Sequence, residues 1–463
     1  MADRLVGYDP ATDTLAPLVQ THIDAGVDAK IAAQSLGSSG VGMFASAHGV
    51  AGNGTADDGM ALNALLVAAA TAGVPVILAP KSVVFTTIRI VIPTGTRLLG
   101  NGATIKCGIT SSIYLPTIGL NDVSNIIIQD LVVDGNKAAF APATEWKHAI
   151  QMVTATDVII RNCTLNSNKG DGIEIAGDNA GSCSQRITLD NVTAKFNHRN
   201  GLSVESCRTL RVIGGTYSST SGTAPQVGID IEPNGAPDVI DDLTFVGVTA
   251  TANTGGGLSV LLSPTPTGRQ QGVVFTACNF SGNPNAGVDL INAYHCTFTD
   301  CQVSDNGGAG YEMDGIINHL TIRGGAVLRN TGQGVMGTAT TMNDWLIFGV
   351  RVLDNAGYGI HLNGTGARFV IASNVVGNDT SSSTLYGIAT DAATLTYVSI
   401  LNNDARACGT YSAGLTDQAS TRNVSGNRGF GSGAIAAPTS DTVGTKAAID
   451  AILAALKASG ITA

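Results

Sequence analysis

The sequence predicts an all-β fold, a single-stranded right-handed parallel β-helix of about 10–13 coils, with helical segments at both ends. Three observations predict it: a short glycine motif that recurs ten times, an asparagine that keeps phase with that glycine, and a composition poor in charge. The motif reads Gly, apolar, any, apolar or small. It runs as Gly172-Ile-Glu-Ile, Gly201-Leu-Ser-Val, Gly228-Ile-Asp-Ile, Gly257-Leu-Ser-Val and Gly287-Val-Asp-Leu. It continues at Gly310, Gly334, Gly359, Gly387 and, more loosely, Gly414, with successive spacings of 29, 27, 29, 30, 23, 24, 25, 28 and 27 residues. An asparagine stands four residues before the glycine in seven of the ten units: Asn168, Asn197, Asn253, Asn283, Asn306, Asn330 and Asn355.

One such unit cannot bury its alternating apolar positions alone, so it stacks on its neighbours. Equivalent residues then lie over one another at the inter-strand spacing of ~4.8 Å. Asparagine amides stacked in this way can hydrogen-bond up the column. Cys163, Cys278 and Cys301 fall at one position, nine residues before the glycine, and read as small core hydrophobes rather than disulfide partners. Leucine-rich repeats have a similar period but need a Leu-x-x-Leu-x-Leu signature that is absent.

Composition agrees with buried strands: 44% apolar, 58 glycines, and only 13% charged and 5% aromatic residues, where a helical chain of 463 residues would carry more Lys, Glu and Arg. A net charge of −10 without any Lys/Arg cluster argues against nucleic acid and anionic membrane as partners. No apolar run reaches transmembrane length, and the start, Met1-Ala2-Asp3-Arg4-Leu5, has no apolar segment of the kind a secretory signal needs. We therefore expect no membrane insertion and no signal peptide. The eight cysteines form neither a Cys-x-x-Cys pair nor a zinc spacing.

The expected organisation is an N-terminal helical and attachment segment over 1–44, the β-helix over 45–430, and a linker with a C-terminal helix over 431–463. Open solenoid ends need caps. At the front, Gly52-Asn-Gly-Thr-Ala-Asp-Asp58 precedes a helical run from Met60 to Ala72, with Thr55 as expected N-cap and Asp57 and Asp58 in an acidic first turn. Val74-Pro-Val-Ile-Leu-Ala-Pro80 follows as the first strand. This stretch resembles the N-terminal module of the pectate-lyase-like β-helix superfamily, where a Gly-Asp/Asn-Gly-x-x-Asp-Asp motif opens a capping helix. It departs at Ala79-Pro80-Lys81, where that superfamily more often has Pro-x-Gly. The resemblance covers about residues 45–430 and implies fold far more than chemistry, since the superfamily includes lyases, hydrolases, epimerases and phage tailspikes. At the far end Ile449, Ile452, Leu453 and Leu456 form an apolar helical stripe. The stripe suits a homotrimer and equally a helix folded back over the last coil.

In each motif strand the apolar residues should face inward and the intervening ones outward. The outward column is Glu174, Ser203, Asp230, Ser259, Asp289, Glu312, Met336 and His361, and a second, two residues on, holds Glu205, Glu232, Asp314, Asn363 and Asp391. Asp171 adds an acid on the same edge. Carboxylates on adjacent coils should be ~4.8 Å apart and those two apart in one strand ~6.6 Å. These spacings match the carboxyl pairs of retaining and inverting glycosidases respectively. Asp171, Glu174, Glu205, Asp230 and Glu232 are accordingly the catalytic candidates. Trp146, His148, Arg199, Asp289 and Glu312 are the substrate-binding ones, an aromatic and two basic groups beside acids being suited to a sugar. Outward strand positions must be polar in any case, so the strip also reads as an ordinary solvated face. No resident cofactor is expected, although the same oxygens could hold Ca²⁺.

Asn168-Lys-Gly-Asp171-Gly172 loosely resembles the Asn-Thr-Asp-Gly motif of polygalacturonase-like hydrolases, whose Asp-Asp, Gly-His-Gly and Arg-x-Lys motifs are absent. The Asp-Pro-His-Glu motif of epimerases is absent too, and the Ca²⁺-site pattern of pectate lyases does not map. The sequence thus leaves catalysis open. It leads us to expect a phage tailspike-like or minor tail protein, located on the virion tail, that recognises a host-surface polysaccharide and attaches to other tail proteins. The alternatives are a stand-alone polysaccharide lyase, hydrolase or epimerase, and a non-catalytic tail fibre.

Overall fold

A computed structural model describes residues 42–428 except 111–113, 141–144, 236, 263–269, 380–385, 391–393, 407–414 and 418–421. The helices expected within 1–44 and 431–463, the stripe Ile449–Leu456 and Asp391 lie outside the described residues. The chain winds as a right-handed parallel β-helix of three parallel sheets with 16, 14 and 13 strands. Strands pair with their equivalents on neighbouring coils, never with the neighbour in sequence. The motif strands, such as Ile173–Ala176 and Leu202–Val204, make the third sheet.

Alternation within the strands builds the core. Ile173, Ile175, Leu202, Val204, Ile229 and Ile231 are wholly buried and stack in register. On the first sheet Phe245, Phe275 and Phe298 stack at ring separations of 4.6 and 5.0 Å, an arrangement open to identical rings on successive coils. The seven described cysteines are free and buried. The corner between the first and second sheets turns through the left-handed region, at Asp130, Asn162, Asn191, Gly247, Asp300 and Asn402 among others. Those residue types tolerate that conformation best.

At the corner between the second and third sheets the asparagines form the expected ladder. Amide donates to amide from Asn168 to Asn197 and along Asn253, Asn283, Asn306, Asn330 and Asn355, at 2.8–3.3 Å. Where the unit of Gly228 lacks an asparagine, Thr220 takes the position and donates to Asn253. The ladder also explains the repeated glycine. A Cβ at Gly310 would lie 2.5 Å from Val327 Cγ1, 2.6 Å from the Gly334 carbonyl and 3.0 Å from Asn330 Nδ2. A second ladder, Asn374 to Asn403 to Asn427, runs up the first corner over the column that carries cysteine and valine earlier.

The capping helix spans Gly59–Ala72 behind residue Asp58. Its cap differs from expectation. Thr55 lies in the strand Asn53–Asp57, and its N–H bonds to Asn53 Oδ1. Asp58 turns its carboxylate back onto the N–H groups of Ala51 and Gly52 at 2.6 and 2.9 Å and so ties the entering chain, while Asp57 accepts from the Gly59 N–H at 3.1 Å and from Thr87. Among the described residues no helix is long and apolar enough to cross a membrane.

Asn306 is buried, accepts from Asn283, and donates to Phe280 O at 3.0 Å and to Asn330. Asn306→Ala therefore orphans buried groups on both sides and should lower unfolding stability by about 2–3 kcal/mol, read as a reduced denaturant midpoint. An unchanged midpoint would show the ladder to be energetically idle.

Candidate functional site

The third sheet carries the acidic strip. Its register sets Gln151, Glu174, Ser203, Asp230, Ser259, Asp289, Glu312, Met336 and His361 over one another on the face away from the core. This is the column read from the sequence, extended by Gln151. Facing outward does not leave it exposed, for Glu174, Ser203 and Asp230 are only 2–3% accessible. The reason lies in the turns that lead into the sheet. His148, Asp171, Arg199 and Asn200 occupy successive coils just ahead of the strands and lean across the column.

Asp171 is fully buried and saturated. Its oxygens accept from Asn200 N at 2.8 Å, Ser203 Oγ at 2.8 Å and Arg199 at 3.3 Å. Asn200 Nδ2 donates onward to Asp230 Oδ2 at 2.9 Å. Arg199 spans three coils, lying 4.0 Å from Asp230 and 3.5 Å from Glu232 as well. His148 is wholly buried between two acids, with Nδ1 3.4 Å from Asp171 Oδ2 and Nε2 3.3 Å from Glu174 Oε1. The Asp171 N–H donates to His148 Nδ1 at 3.0 Å, so the neutral ring carries its proton on Nε2 toward Glu174, where it finds no aligned acceptor. Gln151 holds the other Glu174 oxygen at 2.5 Å. Gly170 permits this approach, since a Cβ there would lie 2.9 Å from His148 Nδ1.

The environment separates the acids by proton affinity. Burial works to raise the Asp171 pKa, but the adjacent His148, the Arg199 charge and the Asn200 N–H outweigh it and hold it low. Burial likewise opposes charge on His148, yet Glu174 and Asp171 keep its pKa raised. For Asp230 burial and the charge of Glu232 prevail, pushing it up to about 8. Glu205 rises to about 7 through burial and the charge of Glu174. The cluster therefore contains both a fixed carboxylate and protonated carboxyls near neutral pH, the combination that acid–base chemistry requires.

Asp289 and Glu312 stand apart from this cluster, beyond the coil of Ser259, and form a second acidic group with Asp314. Burial, then Glu312 and Asp314, push Asp289 to about 6. Trp146 is 46% exposed and pairs with Tyr114, 63% exposed, at a ring separation of 6.2 Å. The two rings precede the paired residues Ile118 and Ile150 by the same four positions. Tyr114 was findable only through that register, because the glycine motif starts farther along the chain. Asn200 and Gln151 were missed for a similar reason: each is an unremarkable amide until stacked on Asp171 and Glu174.

His148, Asp171 and Glu174 each bring one possible metal-ligand atom within 4.8 Å of the others. The two carboxylates address different ring nitrogens, and Asp171 already holds three donors. Ca²⁺ takes six to eight oxygens, which this trio does not converge. The arrangement suits sharing or relaying a proton.

Residues 86–250, 179–376 and 266–428 match, in overlapping stretches, the family described as right handed beta helix region. The chain belongs to this family. Comparison with curated proteins finds no matching sequence. Among solved structures this β-helix is similar to the A-module of mannuronan C-5 epimerase AlgE4 from Azotobacter vinelandii, at 17% identity and a TM-score of 0.62, over 83% of this chain and 100% of the module. It is similar to the pre-mature bacteriophage phi29 gene product 12 at 15% identity and a TM-score of 0.66, over 90% of this chain and 59% of that one. It also resembles tailspike protein 3 of bacteriophage CBA120, with 12% identity, a TM-score of 0.58, and coverage of 92% and 70%. At these identities the likeness is one of fold.

A carboxyl held protonated by its fold binds protons that the unfolded chain has released, so between the unfolded pKa near 4 and the folded value its contribution to stability falls as pH rises. Asp230→Asn removes that loss. Between about pH 5 and 8 the variant's stability should fall less steeply than wild type, by up to about 1.4 kcal/mol per pH unit. Urea midpoints across that range measure it; parallel curves would mean that Asp230 is ionised throughout.

Proposed function

We propose that this β-helix is a tailspike-like phage tail protein that binds a host-surface polysaccharide through the outer face of its third sheet. The observation that carries the reading is one place on that face where a recessed His–Asp–Glu–Arg cluster adjoins an exposed Tyr114–Trp146 pair. Aromatic faces stack on the apolar sides of sugar rings, and polar groups beside them orient hydroxyls. The likeness to the CBA120 tailspike supports a place on a virion tail, and the likeness to the phi29 gene product supports a phage protein. In that setting the protein acts outside the host cell, contacts other tail proteins and assembles as a homotrimer.

The likeness to the whole A-module of a mannuronan C-5 epimerase favours a second reading, a stand-alone polysaccharide-modifying enzyme. Binding to an array of bacterial capsular, O-antigen and exopolysaccharides tests what the two share. Comparing the solution mass of the full chain with that of a chain ending at Gly429 separates them, a trimer that falls to monomer favouring the tail protein. Trp146→Ala should weaken binding of the recognised glycan about tenfold at unchanged thermal stability. Equal affinity of this variant would move the binding surface elsewhere.

A further inference from the structure

Resting on that polysaccharide reading, we infer that the site hydrolyses a glycosidic bond between uncharged sugars with retention of configuration, Glu205 acting as general acid and base and Glu232 as nucleophile. The argument begins with access. Asp171, Glu174 and Asp230 are all but sealed, and the oxygens of Asp171 are taken by three donors. Glu205 and Glu232 occupy the equivalent position on adjacent coils, following the paired residues Val204 and Ile231, and both reach solvent. Their backbones are therefore one inter-strand step apart, ~4.8 Å, a spacing from which the two flexible side chains can reach the carboxyl separation of roughly 5–5.5 Å that retaining hydrolysis uses.

The two acids differ in what faces them. Glu232 lies 3.5 Å from Arg199, which holds its carboxylate at the solvent edge of the cluster. The Glu205 side chain has no hydrogen bond or ion pair among the described residues, and burial with the charge of Glu174 pushes it to about 7. Two coils before Glu205, fully buried His148 leaves Nε2 without a hydrogen-bond partner while facing Glu174. This is an independent sign of a site built for proton exchange. Arg199 already serves Asp171, Asp230 and Glu232. An added sugar carboxylate would meet a surplus of negative charge here, which is why the sugars at the cleaved bond are uncharged.

In the first step Glu205 gives its proton to the glycosidic oxygen as the bond from that oxygen to the anomeric carbon breaks. A Glu232 oxygen bonds to the anomeric carbon from the opposite face, and the alcohol leaves. In the second step Glu205, now ionised, takes a proton from water, whose oxygen displaces Glu232. The products are two shortened glycans, and both carboxyl groups return to their starting states with one water consumed.

The test uses the full-length protein and every glycan it binds on the polysaccharide array. Wild type should release reducing ends with retained anomeric configuration by proton NMR. Glu205→Gln should lose about 10²–10⁴-fold in kcat together with the basic limb of the pH profile. Glu232→Ala should be inactive until azide is added, then yield a glycosyl azide of inverted configuration. Circular dichroism melts establish that both variants fold; if Glu232→Ala does not, Glu232→Gln replaces it, and trapping of wild-type Glu232 by a 2-fluoro derivative of the cleaved glycan gives the same information. Inverted product, an unsaturated product absorbing in the near ultraviolet, or full activity in either variant overturns the assignment. Binding without cleavage overturns it while leaving the polysaccharide reading intact. Absence of binding to every glycan removes that reading and this inference with it.

Discussion

Register between coils is the constraint on which the rest of this structure depends. Each strand hydrogen-bonds only to its equivalents one coil away, so every position in a unit is repeated up the solenoid about 4.8 Å apart. Like then sits on like. For apolar residues and aromatics this is favourable, as in the stack of Phe245, Phe275 and Phe298. For asparagine it is favourable because the amide both donates and accepts, so each neighbour satisfies the next, and Asn168 Oδ1 at the start of the ladder is left without a partner. For carboxylates it is unfavourable, because like charges directly opposite repel.

The site exists where that repulsion is answered. Arg199 lies against Asp171, Asp230 and Glu232, and Asn200 links Asp171 to Asp230. What these groups do not neutralise is met by protonation, at Asp230 and Glu205. Elsewhere on the solenoid acids are paired simply, as in Arg186 with Asp157 and Arg329 with Asp305, each joining successive coils at the surface. Such exposed pairs contribute little to stability. The contrast marks the recessed cluster as a place where the fold tolerates electrostatic cost, which is common at functional sites.

Much of this could be read from the chain before folding. The glycine spacing located the third sheet, and the asparagine phase located the corner beside it. The outward column from Glu174 to His361 appeared in its true order. The misreadings have physical causes. Thr55 resembled an N-cap because cap preferences are local, whereas Asp58 is recruited by the backbone of Ala51 and Gly52. The second ladder at Asn374, Asn403 and Asn427 escaped because its column begins with cysteine and valine and changes to asparagine only late in the solenoid.

By itself the sequence determined which residues share a column, because a parallel solenoid turns spacing along the chain into stacking in space. It could not determine depth. Strand alternation assigns Glu174 and Asp230 to the outer face but does not say that turn residues from neighbouring coils close over them. That closure depends on contacts between His148, Asp171, Arg199 and Asn200, drawn from three successive coils and meeting only after stacking. Only the tertiary structure therefore decided which carboxylates are sealed, which face solvent, and which hold a proton near neutral pH.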